Sequence, residues 1–133
     1  RPEGMLTTLE VNDELRKTAL RYFRKANLQN QIVLLNGDAL ELIPELTDTF
    51  DLVFIDANKD DYPAYYKLVF DKVKSGGYIL ADNVLWGGKV LDEDLSDPTT
   101  RIIDQFNKMI QADQRVENFM LPLRDGLMII KKK

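Results

Sequence analysis

The chain has 133 residues, 44% of them hydrophobic and 30% charged, with 18 basic against 22 acidic side chains and a formal net charge of −4. That composition suits one globular domain with a real core, and the acidic balance argues against a broad footprint for nucleic acid or anionic lipid. Cysteine and histidine are both absent, which excludes disulfides, thiolate chemistry and Cys-ligated zinc, leaves proton transfer to Lys, Asp, Glu or Tyr, and puts any metal on oxygen ligands.

No apolar run approaches the ~20 residues of a membrane-spanning helix, and no signal-peptide pattern is visible, so the default expectation is a cytoplasmic protein. A Pro-Glu-Gly turn at residues 2–4 leads into a β-prone run, Leu6–Val11. Asp13 is placed to cap a helix whose apolar face is Leu15, Ala19, Leu20, Tyr22, Phe23 and Ala26. Ile32–Leu35 reads as a second strand ended by Asn36-Gly37, and Asp38 opens a short helix through Leu46 that Pro44 would shorten. Leu52–Ile55 is a third strand, Tyr62–Val73 a helix stopped by Ser75-Gly76-Gly77, and Tyr78–Ala81 a fourth strand. The loop GGKVLDEDLSDPTT, whose acidic DEDLSD reads as a solvated surface, precedes a helix around Thr100–Ala112. Val116–Leu123 and Leu127–Ile130 are closing strands joined through Arg124-Asp125-Gly126, and the terminal KKK reads as a solvating tail.

Strands alternating with helices predict an α/β domain with a mostly parallel sheet covered on both faces. The last two strands have no helix between them, so one of them is expected to run antiparallel. In such sheets ligands bind beyond the carboxyl ends of the strands. Glu10, Asp38, Asp56 and the pair Asp82-Asn83 all fall at those ends. Each alone reads as a cap or turn residue, Asp38 most simply as a helix N-cap. Four at one edge point instead to a site. Glu10 is placed to accept hydrogen bonds from ribose hydroxyls, as acids after early strands do in dinucleotide folds. Asp56, Asp82 and Asn83 offer the hard oxygens that Mg²⁺ or Ca²⁺ prefers. Lys59 alone reads as a solvated lysine, but beside a cation it would give up its proton more readily.

The stretches FIDANK and LADNVLWGGKV, with TLEVNDE, GDALELIPEL and LPLRDGL, span essentially the whole chain. Together they resemble the cation-dependent O-methyltransferase family that includes catechol and caffeoyl-CoA O-methyltransferases. The resemblance implies a Rossmann-like class I methyltransferase fold using S-adenosylmethionine (SAM), in a single domain over residues 1–133. It implies that Glu10 holds the ribose hydroxyls, that Asp38 and Ala39 face the adenine, and that Asp56 borders the cofactor. Asp56, Asp82 and Asn83 would bind the divalent cation, Mg²⁺ first with Ca²⁺ or Mn²⁺ as alternatives, and Lys59 would be the general base. Trp86 would wall the acceptor pocket. Asn58, where many relatives carry Asp, would bear on acceptor recognition. Tyr62 either lines that pocket or packs at its helix start.

The implied reaction methylates a hydroxyl of a small vicinal diphenol, in a protein that pairs as a homodimer. A hydroxylated tRNA nucleoside is the rival acceptor, and a non-catalytic binding module the rival of another class. The family's glycine-rich Glu-Ile-Gly-Thr loop and the strand before it have no counterpart here. The chain is therefore expected to be the C-terminal portion of a longer enzyme and inactive alone. Its fold would be incomplete at the N terminus, leaving inner sheet edges open at Leu6–Val11 and Leu52–Ile55.

Overall fold

The computed structural model describes residues 4–92 and 94–133; the first residues of the Pro-Glu-Gly turn and Glu93 of the acidic loop lie outside them. Two compact units divide the chain, Arg1–Leu46 and Thr47–Lys133.

In the first unit, strands β1 (Leu6–Glu10) and β2 (Ile32–Asn36) pair in parallel, with Leu6 opposite Ile32 and Glu10 opposite Asn36. Helix α1 (Asp13–Lys25) connects them. Its cap is Asn12, not Asp13: Asn12 Oδ1 accepts from the Glu14 amide at 2.9 Å. Asp13 falls in the first turn, where its charge complements the positive end of the helix. The helix closes through Asn27, whose φ of 58° lets Leu28 N reach Phe23 O at 2.9 Å. The expected apolar face is covered only in part, since Ala19, Leu20 and Phe23 are half-buried while Leu15 and Tyr22 are exposed. Helix α2 (Ala39–Glu45) keeps Pro44 in its last turn, and its Ile43 is the unit's one buried hydrophobic side chain among the described residues.

The second unit holds β3 (Phe50–Ile55), α3 (Tyr62–Phe70), β4 (Val73–Asp82), α4 (Pro98–Ala112), β5 (Val116–Leu121) and β6 (Leu127–Lys132). The sheet order is β3-β4-β6-β5, with β3 and β4 parallel and β6 antiparallel to both of its neighbours. This is the mostly parallel sheet with one reversed strand that the missing last helix requires. Among the described residues β1 and β3 each pair on one side only.

Two boundaries differ from the sequence pattern. Helix α3 ends at Phe70, and Ser75-Gly76-Gly77 does not stop it but lies inside β4. There the register slips, from Phe50 opposite Val73 to Leu52 opposite Tyr78. Gly76 sits at φ 78°, and a Cβ on Gly77 would lie 2.8 Å from the Val73 side chain and 3.0 Å from Asp51 O. The glycines thus form an irregularity within a strand. The second difference is the terminal lysines, which are not merely a solvating tail. Lys132 closes β6, and its Nζ donates to Phe70 O and Val73 O, both at 2.8 Å, where α3 ends.

One sheet face packs Ile55, Ile79, Ala81, Met128 and Ile130 beneath α3 and α4, which bury Tyr62, Tyr66, Phe70, Ile103, Phe106 and Ile110. Phe106 meets Tyr62 and Tyr66 edge-on at 5.4 and 6.4 Å. Coverage of the opposite face is incomplete, contrary to expectation: Leu52, Phe54 and Phe119 are 54%, 56% and 60% exposed.

Tyr66 OH donates to Asp113 Oδ2 at 2.9 Å, and the Arg115 guanidinium meets the same oxygen at 2.6 Å. Hydrogen bonds from Arg115, then from its amide and Tyr66, hold the Asp113 carboxyl well below the usual carboxylate range. A depressed folded value stabilises the fold above the ordinary carboxylate pKa and loses that effect as pH falls through the folded one. Asp113→Asn is expected to cost about 1–3 kcal/mol at neutral pH. In urea denaturation that gap should stay constant down to about pH 4 and shrink below it.

Candidate active site

Every candidate residue lies at or just beyond a strand's carboxyl end. In the first unit, Glu10 ends β1 beside Asn36, and its carbonyl accepts from Gly37 N at 3.0 Å. Gly37, at φ 147°, makes the turn that leads to Asp38. Glu10 Oε1 accepts from Asn12 N at 2.7 Å, leaving the second carboxylate oxygen for other partners. Asp38 is the N-cap of α2, its Oδ1 accepting from Leu40 N at 2.8 Å, and Ala39 is the first helical residue. This is the capping role its position suggests, and it fixes the backbone here whatever else Asp38 contacts.

In the second unit, the parallel register sets Ile55 opposite Ala81, so Asp56 and Asp82 leave adjacent strands at the same level. Asp82 Oδ1 accepts from Asn83 N at 2.8 Å, and Asn83 takes φ 61°, a conformation asparagine tolerates better than most residues. The chain after β3 turns through a 3₁₀ segment, Lys59–Asp61, which returns Lys59 towards the strand end. Lys59 Nζ donates to Asp56 Oδ1 at 2.9 Å and to Tyr62 OH at 2.6 Å. The Lys59 side chain is 11% exposed and Asp56 48%, so Lys59 is not the solvated lysine its type alone would suggest. Asn58 is exposed, and its amide donates to Asp61 Oδ2 at 2.7 Å, bracing the same turn.

Tyr62 opens α3 and is fully buried. Its hydroxyl lies 3.1 Å from Ile55 O and 2.9 Å from Asp82 O, the carbonyls at the ends of β3 and β4. Burial first, then the Asp56 and Asp82 carboxylates, push the phenol's ionisation far above its ordinary value, so it stays protonated. Both carboxylates therefore act on one hydroxyl. Lys59 and Tyr62 stand one helical turn apart in sequence, the signal from which this contact could be found; spacing alone does not choose between pocket lining and packing.

Trp86, half-buried at φ 50°, sits on the loop after β4. That loop is strapped to the β5–β6 turn: Val84 N donates to Gly126 O at 3.1 Å, Leu85 N to Asp125 O at 2.9 Å, and Gly87 N to the Asp125 carboxylate. Asn107 of α4 donates to Val84 O at 2.8 Å. Asp97, at the end of the acidic loop, is not merely solvated, because it caps α4. Hydrogen bonds from the Thr100 hydroxyl and amide hold its carboxyl below the usual range, helped by Lys89 and the Trp86 side chain.

Among the described residues no three Asp, Glu, His or Cys side chains converge to hold a metal ion. The arrangement offers two carboxylates and an amide, oxygen donors that suit a hard cation keeping several waters. The donor set therefore fits a Mg²⁺-like ion.

A sequence profile of the O-methyltransferase family matches residues 1–133. The chain is 37% identical over 136 residues to a probable caffeoyl-CoA O-methyltransferase 2 of Dictyostelium discoideum, covering 98% of this chain and 59% of that protein. Among solved structures, the O-methyltransferase TomG of Streptomyces achromogenes, in complex with SAM, superposes with a TM-score of 0.93 at 27% identity, over 100% of this chain and 64% of that one. An O-methyltransferase from Bacillus cereus in complex with SAH (S-adenosylhomocysteine) gives 0.89 at 29% identity, over 98% and 63%. The fold is that of an α/β methyltransferase, and the chain belongs to the O-methyltransferase family. It spans about three-fifths of the length of the curated relatives it matches.

Trp86 is the chain's single tryptophan, so its emission reads the strapped loop alone. Asp125→Ala removes the acceptor for Gly87 N and should shift that emission to the red while costing about 1 kcal/mol in stability. Unchanged emission would mean that the loop holds itself.

Proposed function

We propose that the protein is a SAM- and divalent-cation-dependent O-methyltransferase acting on a small vicinal diphenol of the catechol or caffeoyl type. The observation that carries this reading is the position of Asp56 and Asp82 at the same level at the ends of two adjacent parallel strands, with Lys59 bonded to Asp56 and Asn83 following Asp82. Family membership, the caffeoyl-CoA names among relatives and the SAM- and SAH-bound relatives support it.

In this reading Glu10 accepts hydrogen bonds from the cofactor's ribose hydroxyls, while Asp38 and Ala39 present the start of α2 to its adenine. SAM, when bound, supplies an electrophilic methyl group on its sulfonium. Asp56, Asp82 and Asn83 would hold the cation, which supplies Lewis acidity that makes the acceptor hydroxyl easier to deprotonate. Lys59 takes that proton: an N–H bond forms as the O–H bond breaks, and the electron pair stays on the oxygen that accepts the methyl group. Trp86 and Asn58 flank the acceptor side. Holding the reactants aligned supplies much of the acceleration. The products are the monomethyl ether and S-adenosylhomocysteine.

The test is S-adenosylhomocysteine release by the full-length protein with SAM, Mg²⁺ and a catechol panel. Lys59→Ala is expected to lower turnover by about 10²–10⁴-fold, chelation to abolish it, and added Mg²⁺ to restore it. Demonstrated SAM binding without release from any diphenol would reject this acceptor class and favour RNA or a non-catalytic role.

A further inference from the structure

The proposed function makes Lys59 a base, and a base must be held with its lone pair free. On that reading, we infer that Tyr62 is a positioning residue for Lys59, holding Nζ at the strand ends by accepting a hydrogen bond from it.

The argument is one of hydrogen bookkeeping. A phenol has one hydrogen to give and lone pairs to receive. Two backbone carbonyls, Ile55 O at 3.1 Å and Asp82 O at 2.9 Å, lie within reach of that hydrogen and can only accept. With the hydrogen committed there, the oxygen turns its lone pairs to Lys59 Nζ at 2.6 Å. Nζ can donate to it as an ammonium or as a neutral amine, since both carry N–H bonds. Tyr62 therefore holds the nitrogen in either state without consuming the lone pair on which a base depends. The ring adds a second hold, because Nζ also lies 4.7 Å from its centroid.

The same hydroxyl links the strand ends from which Asp56 and Asp82 emerge, so the lysine is located relative to the backbone as well as to a half-exposed side chain. Lys59's other partner, Asp56, is nearly half exposed, whereas Tyr62 is fully buried and wedged edge-on against Phe106 at 5.4 Å. The rigid support is the phenol. A surface lysine with one carboxylate partner would gain little from that pair, yet this one is largely withdrawn from solvent.

The experiment uses the full-length protein and Tyr62→Phe, which keeps the ring and removes the oxygen. Lysines are acetylated with trace acetic anhydride and read peptide by peptide in a mass spectrometer, with Lys74 and Lys108 as internal references. Labelling of Lys59 is expected to rise several-fold relative to both. With SAM, Mg²⁺ and a catechol, kcat should fall about tenfold, the value of one hydrogen bond's worth of positioning, while KM for both substrates holds. In a Lys59→Ala background, Tyr62→Phe should cost nothing more.

Unchanged Lys59 labelling, or a Tyr62→Phe loss that adds in full to that of Lys59→Ala, would overturn the inference. Raised labelling with turnover indifferent to Lys59→Ala would uphold the positioning and reject the base assignment instead. Should Tyr62→Phe fail to fold, the unmutated protein carries the test: Lys59 must label more slowly than Lys74 and Lys108, and equal rates would overturn the inference.

Discussion

The parallel pairing of β3 with β4 governs the second unit. Because Ile55 stands opposite Ala81, the next residue on each strand is a carboxylate at the same level. A slip of one residue would turn these strands' buried side chains outward and separate the two acids. The register is defended from below by Ile55, Ile79 and Ala81 packing under α3 and α4, and at its end by the Tyr62 hydroxyl between the last carbonyls. Core and site thus share one determinant.

That determinant also explains how two acids can be kept close. Carboxylates on neighbouring strands repel, and the polypeptide answers with hydrogen bonds from Lys59 Nζ to Asp56 and from the Asn83 backbone amide to Asp82. The 3₁₀ turn between β3 and α3 is the device that folds Lys59 back, and Asn58 ties it through Asp61. The chemistry available at this edge comes from a short connection, not from a residue brought in from afar.

Much of this was legible in the sequence because continuous apolar strands such as Phe54-Ile55 and Ile79-Leu80-Ala81 stop abruptly at acids. Asp56, Asp82 and Asn83 were readable from that pattern, and Asp38 from its capping position. What period and composition did not show depends on contacts distant in the chain. The Ser75-Gly76-Gly77 run looks like a helix stop, yet it relieves a close approach to Asp51 on the neighbouring strand. Lys132 looks like a solvated tail until the carbonyls of Phe70 and Val73 are brought beside it. Asp13 and Asn12 are both of residue types that cap helices, and only backbone geometry chooses Asn12. Tyr62 has a helical position compatible with plain packing; its role emerges only where two strands and a lysine meet.

The strap between the loop carrying Trp86 and the Asp125-Gly126 turn gives the edge a second support, joined to the first through the pairing of β4 with β6. Lys59 and the carboxylates rest on β3, β4 and α3, whereas Trp86 rests on the hairpin of β5 and β6 and on α4. Changes in the part of the hairpin turn that the Trp86 loop touches, Asp125 and Gly126, can therefore reshape the surface beside the acids while the pairing of β3 with β4 still sets the level of Asp56 and Asp82. A lineage could drift in what it recognises by editing a few turn residues while keeping the ionic apparatus, so proteins with the same charged residues need not share a ligand.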